Sequence, residues 1–398
     1  MDEGFLTKEH ERLRERVRGF AEAEIEPRVA WWEKTARVEK RVPGRMARRG
    51  WAGVTIPAWY GGMDAGHLAK VIMIEEVSRV SGAMGAALQA SQLGVAALLH
   101  FGTEKQKEQW LPKIAAGRCL PTIAVTEAGS GGHVLGMEAT ARREGDEYVL
   151  NGRKVFVGNS HISGLHGVVA RTGSGTDGLS AFLVKAGRPG LSLAPHQRAM
   201  GLHGFSFGEL ILDDCRIPVA NRLGEEGDGL AVAYSSSTLY GRPNLAAVAL
   251  GLHQAIVDTT LSFVTERHRY GHALADHPTI RQKVGLMQSR LMTARVTLYH
   301  AAHLLDHGQP CDAELMNAKL INVESALDSA RVAMQIHAAS GLLTGYPIER
   351  YVRDAFHLYA PAGTSDIQVH RLAEAALNGT TPPQWSERFP TPPPRTTA

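Results

Sequence analysis

Four short stretches carry side chains able to do chemistry. "GFSFG", residues 204 to 208, matches the G-x-S-x-G pattern in which a nucleophilic serine is raised on a strained strand-to-helix turn. The segment after it, "ELILDDCRI", alternates like a strand, so Ser206 is expected in a loop, and a serine hydrolase is the alternative from a different class. His300, His303 and His307 share one face of a helical run, but three ligands from one helix rarely converge on one ion and no HExxH pattern accompanies them. No metal site is expected. "VTEAGSGG", residues 125 to 132, is a small-residue loop that lets backbone approach a flat ligand or is simply flexible. "ERHRYG", residues 266 to 271, ends a helix with two arginines and an aromatic, suited to a pyrophosphate or to plain solvation. There is no G-x-x-x-x-G-K-[ST] loop and no strand, G-x-G-x-x-G, helix unit, which disfavours a nicotinamide cofactor.

The elements that must position these residues fall into three blocks. From Thr7, a plausible helix cap followed by Glu9, the apolar residues Leu13, Val17 and Phe20 recur at helical spacing, and the helical period continues to about residue 118. At "CLPTIAVTEAGSGG" the period changes to short β runs between turns. Turns are expected at Gly145-Asp146 and Asn151-Gly152, the latter as a hairpin, in an antiparallel unit spanning 119–226. Helical period returns over 227–380 as an up-and-down bundle, and the Pro-rich tail 381–398 is expected to be disordered or extended. The fold class is therefore α+β and multidomain.

The chain has 398 residues, formal charge +3 and 21% charged residues, so no strong field recruits nucleic acid or an anionic membrane. Cys119, Cys215 and Cys311 lack CxxC spacing, which argues against a disulfide framework or a zinc site and suits a reducing cytoplasm. The N-terminus is charged throughout, and no run approaches about 18 uninterrupted apolar residues, so no membrane span is expected.

Taken in order, "VTEAGSGG", "GDEYVLNGRKVFVGN", "MGLHGFSFGELILDDCRIP", "GRPNLAAVALGLHQ", "ERHRYGHALADHPTIRQKV", "YPIERYVRDA" and "GTSDIQ" resemble the acyl-CoA dehydrogenase family of flavoproteins along nearly the whole chain. The resemblance implies an N-terminal helical domain, a middle antiparallel β-barrel domain and a C-terminal four-helix bundle, assembled as a homodimer or homotetramer. It implies FAD in the cleft between β domain and bundle, and an acyl thioester on CoA or on an acyl carrier protein as substrate; the electron acceptor stays open. By position, Val125 and Thr126 would meet the isoalloxazine, and Gly131 and Gly132 would line flavin and pantetheine. Arg267, Tyr270 and the run from Gln335 to Ala338 and Ala339 would approach FAD across a dimer interface. Thr364 and Asp366 would touch FAD, while Gly132, Arg242 and Gly363 fall at substrate positions.

The departures carry information. Phe156 and Gly158 stand where the family usually has tryptophan and threonine, Gly132 and His133 replace a common serine and aspartate, and Ala338 and Ala339 replace paired glycines. The family's catalytic glutamate precedes the Gly-Thr of the last motif, at Ala362; a subset of members carries it instead just before an arginine, at Gly241. Both positions lack a carboxylate. Tyr240 borders one of them and Asp366 lies about one helical turn beyond the other, as weak substitutes. The reading favoured is an atypical dehydrogenation of an acyl thioester in a specialised or secondary-metabolite pathway. A flavin-dependent oxygenase or oxidase on the same fold, and a non-catalytic flavin-binding homologue, are the alternatives.

Overall fold

The computed structural model describes residues 4–377 and 384–389. Thr7 caps α1 (Lys8–Phe20): its side chain accepts the His10 N–H at 3.3 Å, and the Thr7 N–H returns a bond to His10 Nδ1 at 3.2 Å. Leu13, Val17 and Phe20 are the buried face of this helix. α2 (Glu26–Thr35), α3 (Arg41–Arg48), α4 (Gly66–Val80), α5 (Gly82–Phe101) and α6 (Glu104–Ala115) complete the N-terminal block. α5 and the later run Gly229–Glu266 are long and apolar enough to cross a membrane, yet 94% and 67% of their apolar windows are buried inside the fold. Small residues let α5 pack closely. A Cβ on Gly94 would stand 2.7 Å from Pro121 Cβ, so only glycine allows the start of β1 to lie against this helix.

The middle block holds β1 (Pro121–Ala124), β2 (Thr140–Glu144), β3 (Glu147–Gly158), β4 (Leu165–Arg171), β5 (Leu179–Lys185), β6 (Leu191–Leu193), β7 (Phe207–Pro218) and β8 (Arg222–Leu223). They form one sheet in the order β6-β7-β3-β2-β4-β5-β8, with β1 pairing β4. Two expectations need correction here. The unit is not purely antiparallel, because β1 runs parallel to β4 and the first residue of β2, Thr140, meets Arg171 at the end of β4 in parallel. The Gly145-Asp146 turn does close the β2-β3 hairpin, but Asn151-Gly152 makes no hairpin; it is a bulge inside the continuous strand β3, where the register against β7 shifts between Leu150 and Gly152. Glycine is needed there for a close approach, since a Cβ on Gly152 at φ 138° would fall 2.5 Å from Ala139 Cβ. Asn151 spends its amide on Asp214 across the strand pair.

The C-terminal block begins with α7 (Gly229–Ser235), which passes through a π-helical turn over Ser236–Gly241 into α8 (Arg242–Glu266). Pro243 explains the widened turn. Without an N–H and with its ring against the preceding turn it cannot continue a regular ladder, and the Arg242 N–H bonds back five residues to the Ser237 carbonyl. A small hairpin of β9 (His268–Arg269) and β10 (His272–Ala273) precedes α9 (Pro278–Asp306), α10 (Asp312–His337), α11 (Pro347–His357) and α12 (Ser365–Leu377). One apolar core runs through the N-terminal helices and this bundle, joining Trp32, Trp51, Ile72 and Val77 to Val248, Leu252, Leu298 and Ala330.

Residues 384–389 correct the expectation of a disordered tail in that part. α13 (Trp385–Arg388) is latched to the start of α10: the Asp312 carboxylate accepts the Trp385 and Ser386 N–H groups at 2.9 and 3.0 Å, and the Asp312 N–H returns a bond to Gln384 Oε1 at 2.9 Å. Trp385 and Phe389 add their rings to the core. Residues 381–383 and 390–398 of that expectation lie outside the described residues.

Candidate active site

The loop after β1 is fixed from below and open above. The Val125 carbonyl accepts Lys154 Nζ at 2.9 Å and the Thr126 carbonyl accepts the Val155 N–H at 2.9 Å. Lys154, fully buried, also bonds Glu127 at 2.7 Å, and Glu127 accepts the Glu138 and Ala139 N–H groups. Burial alone would raise the Glu127 pKa; those backbone bonds and Lys154 outweigh it and hold the group below its ordinary value. Burial pulls Lys154 down, opposed by Glu127. Beyond this anchor, Cβ atoms on Gly129 and Gly131 would meet nothing within 4 Å, and one on Gly132 would meet only Ile367 of α12 at 3.9 Å. The loop therefore faces the bundle across an open cleft.

Phe156 is presented to solvent by strained backbone. It sits on β3 at φ 57°, a left-handed conformation unusual for a bulky residue, where the register against β7 shifts between Lys154 and Val157. Its ring is 62% exposed and stacks on Phe207 at 5.5 Å, and Phe207 meets the ring of His357 edge-on. The glycine two residues on has a packing cause: a Cβ on Gly158 would lie 3.0 Å from both Ala90 Cβ and Phe205 Cζ, which leaves no room for a threonine without a shift of α5.

The two carboxylate-free positions meet. A Cβ on Gly241 would stand 3.3 Å from that of Ala362 and 3.6 Å from Leu93 Cδ2, so side chains from the two sites would enter the same space. Ala362 is held at φ 55° ahead of Gly363 at φ 89°. Two buried residues not expected from sequence clamp its loop. Lys319 Nζ donates to the Tyr359 and Gly363 carbonyls at 2.8 Å each, and Gln368 Nε2 donates to the Ala362 and Gly363 carbonyls at 2.9 and 3.1 Å. Burial lowers Lys319 to about 8. A lysine breaking the apolar face of "LMNAKLIN" was the available signal.

Neither substitute base faces this point. Tyr240 is fully buried in the N-terminal core, its ring edge-on to His67 at 4.8 Å with Lys70 Nζ 4.1 Å above it, and burial raises its hydroxyl pKa above the ordinary value. Asp366 is exposed and accepts the Tyr359 hydroxyl at 2.9 Å. Thr364 caps α12 weakly, accepting the Ile367 N–H at 3.4 Å. Arg242 is 8% exposed; its Nη1 donates to Thr238 Oγ1 at 2.6 Å and its Nε has no partner among the described residues.

The outer residues lie at the surface. Arg267 ends α8, and Tyr270 with Gly271 forms the hairpin tip, both at positive φ, with Tyr270 92% exposed. Gln335 is exposed and accepts Lys283 Nζ at 3.1 Å. Ala338 occupies φ 50°, ψ −133°, a region natural only to glycine, and Ala339 beside it is exposed. Ala338→Gly should therefore stabilise the protein by about 1 kcal/mol, the relief of strain exceeding the added chain entropy. Thermal unfolding of the two proteins checks this, and an unchanged or lower midpoint would refute the strain.

The remaining motifs resolve differently. Ser206 is buried and accepts the His161 N–H at 3.0 Å, with His161 Nδ1 at 3.1 Å and Ser160 Oγ at 3.3 Å. β7 starts at the next residue, so the strand-to-helix elbow of a hydrolase is absent and the hydrolase alternative has no support. His303 and His307 lie with ring centroids 4.0 Å apart, and His300 and His303 pack against Phe5.

A loop of open glycines over a rigid ion pair, an exposed aromatic ring and a facing helix start fit a broad planar ligand in the cleft. Comparison with known proteins identifies the family. The N-terminal, middle and C-terminal domains described for acyl-CoA dehydrogenases match residues 7–118, 122–215 and 227–377. An acyl-CoA dehydrogenase of Bacillus subtilis is 34% identical over 94% of this chain and 100% of its own length. The structure of butyryl-CoA dehydrogenase from Megasphaera elsdenii superposes with a TM-score of 0.91 at 28% identity, covering 94% and 99% of the two chains. That of the prolyl acyl carrier protein oxidase AnaB gives 0.88 at 29%, covering 94% and 100%. The chain belongs to the acyl-CoA dehydrogenase family and is an FAD-dependent oxidoreductase of acyl thioesters.

Proposed function

We propose that this enzyme performs an atypical oxidation of an acyl thioester in a specialised pathway, with no carboxylate of its own serving as general base. The observation that carries the reading is the convergence of Gly241 and Ala362 on one point, with Tyr240 and Asp366 both turned elsewhere. Bound FAD would supply the capacity to accept a hydride from the carbon β to the thioester carbonyl, and the α-proton lost with it would pass to water in the open cleft rather than to a carboxylate of the chain. Val125, Thr126, Gly131 and Gly132 would hold its ring from the β domain, with Phe156 shielding it beside Gly158. Thr364 and Asp366 would approach from α12, and Arg267, Tyr270, Gln335, Ala338 and Ala339 would serve the FAD of a neighbouring copy. Exposed Tyr270, Leu342 and Leu343 near these residues support a homodimer or homotetramer.

The chain's own contributions are positional. Lys319 and Gln368 fix the carbonyls of the Ala362 loop, and the Lys154–Glu127 pair keeps the glycine loop in register with the cleft. The carrier is either CoA or the pantetheine arm of a carrier protein, the latter supported by the likeness to AnaB. Anaerobic mixing of the FAD-loaded protein with straight-chain saturated acyl-CoAs provides the test. Bleaching of the visible flavin band is expected to be slow, because loss of a general base costs on the order of 10² to 10⁴ in rate. Fast bleaching by a plain saturated acyl-CoA would mean that a base exists and overturn the reading.

A further inference from the structure

A helix of four residues is far too short to persist alone, so α13 exists only because it is docked. Its anchor is reciprocal. The Asp312 carboxylate on α10 accepts the Trp385 N–H, the Ser386 N–H and the Ser386 hydroxyl, while Ser386 Oγ accepts the Cys311 N–H at 3.0 Å. Two rings reach outward from that anchor. Trp385 stacks on Tyr234 of α7 with centroids 6.1 Å apart, and Phe389 packs against His100 and Phe101 at the end of α5 at 5.3 and 4.9 Å. Both helices bear on the π-helical turn Ser236–Gly241: α7 runs into it, and His100 meets the ring of Tyr240 edge-on at 6.2 Å. α13 itself also packs against this turn. Tyr240 immediately precedes Gly241, where a Cβ would stand 3.3 Å from that of Ala362. The contacts therefore run without a gap from the C-terminal segment to the wall of the active site. A π-helical turn is a widened rung that backbone bonding alone does not favour, so what packs on it sets its shape.

We propose that residues 384–389 are a strap that sets the shape of the thioester site by holding this turn, with Trp385 and Phe389 as positioning residues that act through Tyr234 and His100. Lifting the strap removes one ring from α7 and one from the end of α5, and the turn between them loses the packing that defines it. Because position 241 contributes only backbone, any shift of the turn passes directly into the space shared with Ala362. The strap takes no part in the chemistry, and its role is the same whichever group receives the proton. It rests on the acyl-thioester reading only for the ligand used in one arm of its test.

Calorimetric titration of the FAD-loaded protein with butyryl-CoA and octanoyl-CoA, together with the change each causes in the visible flavin band, tests this in a variant carrying both Trp385→Ala and Phe389→Ala. That variant is expected to bind the thioesters on the order of tenfold more weakly and to give an altered flavin difference spectrum, with its FAD content unchanged. Trp385→Phe, which keeps a ring against Tyr234, should behave as the parent does. A lowered thermal midpoint with parental affinity and spectrum would make the strap purely structural and overturn the proposal. Hydrogen exchange serves independently if the paired variant does not fold. Ser386→Ala removes the hydroxyl that bonds Asp312 and Cys311, and should speed exchange of two amides together: the Phe389 N–H, bonded to the Trp385 carbonyl, and the Arg242 N–H, bonded across the turn to the Ser237 carbonyl. Faster exchange at Phe389 with none at Arg242 would overturn the proposal equally. If no acyl-CoA binds the unaltered protein, the acyl-thioester reading fails by itself, and the exchange arm still decides for or against the strap.

Discussion

Ala362→Glu should raise the rate at which straight-chain saturated acyl-CoAs reduce the enzyme by on the order of 10² to 10⁴. The loop is already shaped for the new side chain. Lys319 and Gln368 hold its carbonyls whatever stands at 362, and a glutamate at φ 55° bears about the same backbone strain as the alanine now there. Gly241 puts no side chain into the space that Ala362 shares with it, so the new carboxylate meets no competing group from α8 there. A glutamate at 241 should do less, because its Cβ would stand 3.3 Å from that of Ala362. Stopped-flow reduction of both variants with a series of acyl-CoAs measures this. A new acidic limb in the pH profile should accompany the gain, marking titration of the introduced group. If Ala362→Glu binds thioesters as well as the parent yet gains no rate with any chain length, the missing carboxylate is not what limits the reaction.

Much of the architecture was legible because period reports burial. Leu13, Val17 and Phe20 at helical spacing and the alternating run of β7 each announced the element that buries them. Dipeptides were less faithful. Asn151-Gly152 has the composition of a two-residue turn, but the same freedom of φ serves a bulge, and only the neighbouring Ala139 decides which is formed. The two vacant base positions could be named from the chain through family resemblance, whereas their meeting across 3.3 Å could not, since 120 residues separate them. Tyr240, next to one of those positions, points into the N-terminal core, and Asp366, about one helical turn beyond the other, lies exposed against Tyr359. Direction along a π-helical turn or a helix start follows from packing, which sequence proximity does not encode. Lys319 was overlooked for the converse reason: a lone lysine on an apolar face is conspicuous only once its two carbonyl partners are seen.

His253→Leu should make the protein more stable than its parent at pH 5 by about 2 kcal/mol beyond any difference present at pH 7.5. His253 on α8 is fully buried, with neither ring nitrogen partnered among the described residues; burial, aided by Arg295 and Arg290, lowers its pKa to about 3. The unfolded chain takes up a proton on this ring as pH falls through about 6.5, while the folded chain does not until near 3. The unfolded state therefore binds more protons throughout that interval, and stability present in full above 6.5 is lost as the pH drops. His166, 1% exposed and lowered to about 4 by burial, works in the same direction. Asp354 opposes them. Burial raises it to about 6, so the folded state binds its proton first and gains stability between about 6 and 3.8. Because of that opposition the overall acid limb is a poor test, and the difference between His253→Leu and its parent is the informative quantity. Thermal midpoints recorded from pH 7.5 to 4.5 should show the two curves separating below 6.5. Parallel curves would mean that His253 gains its proton in the folded state at an ordinary pH, through a hydrogen-bonded environment unlike the dry one described.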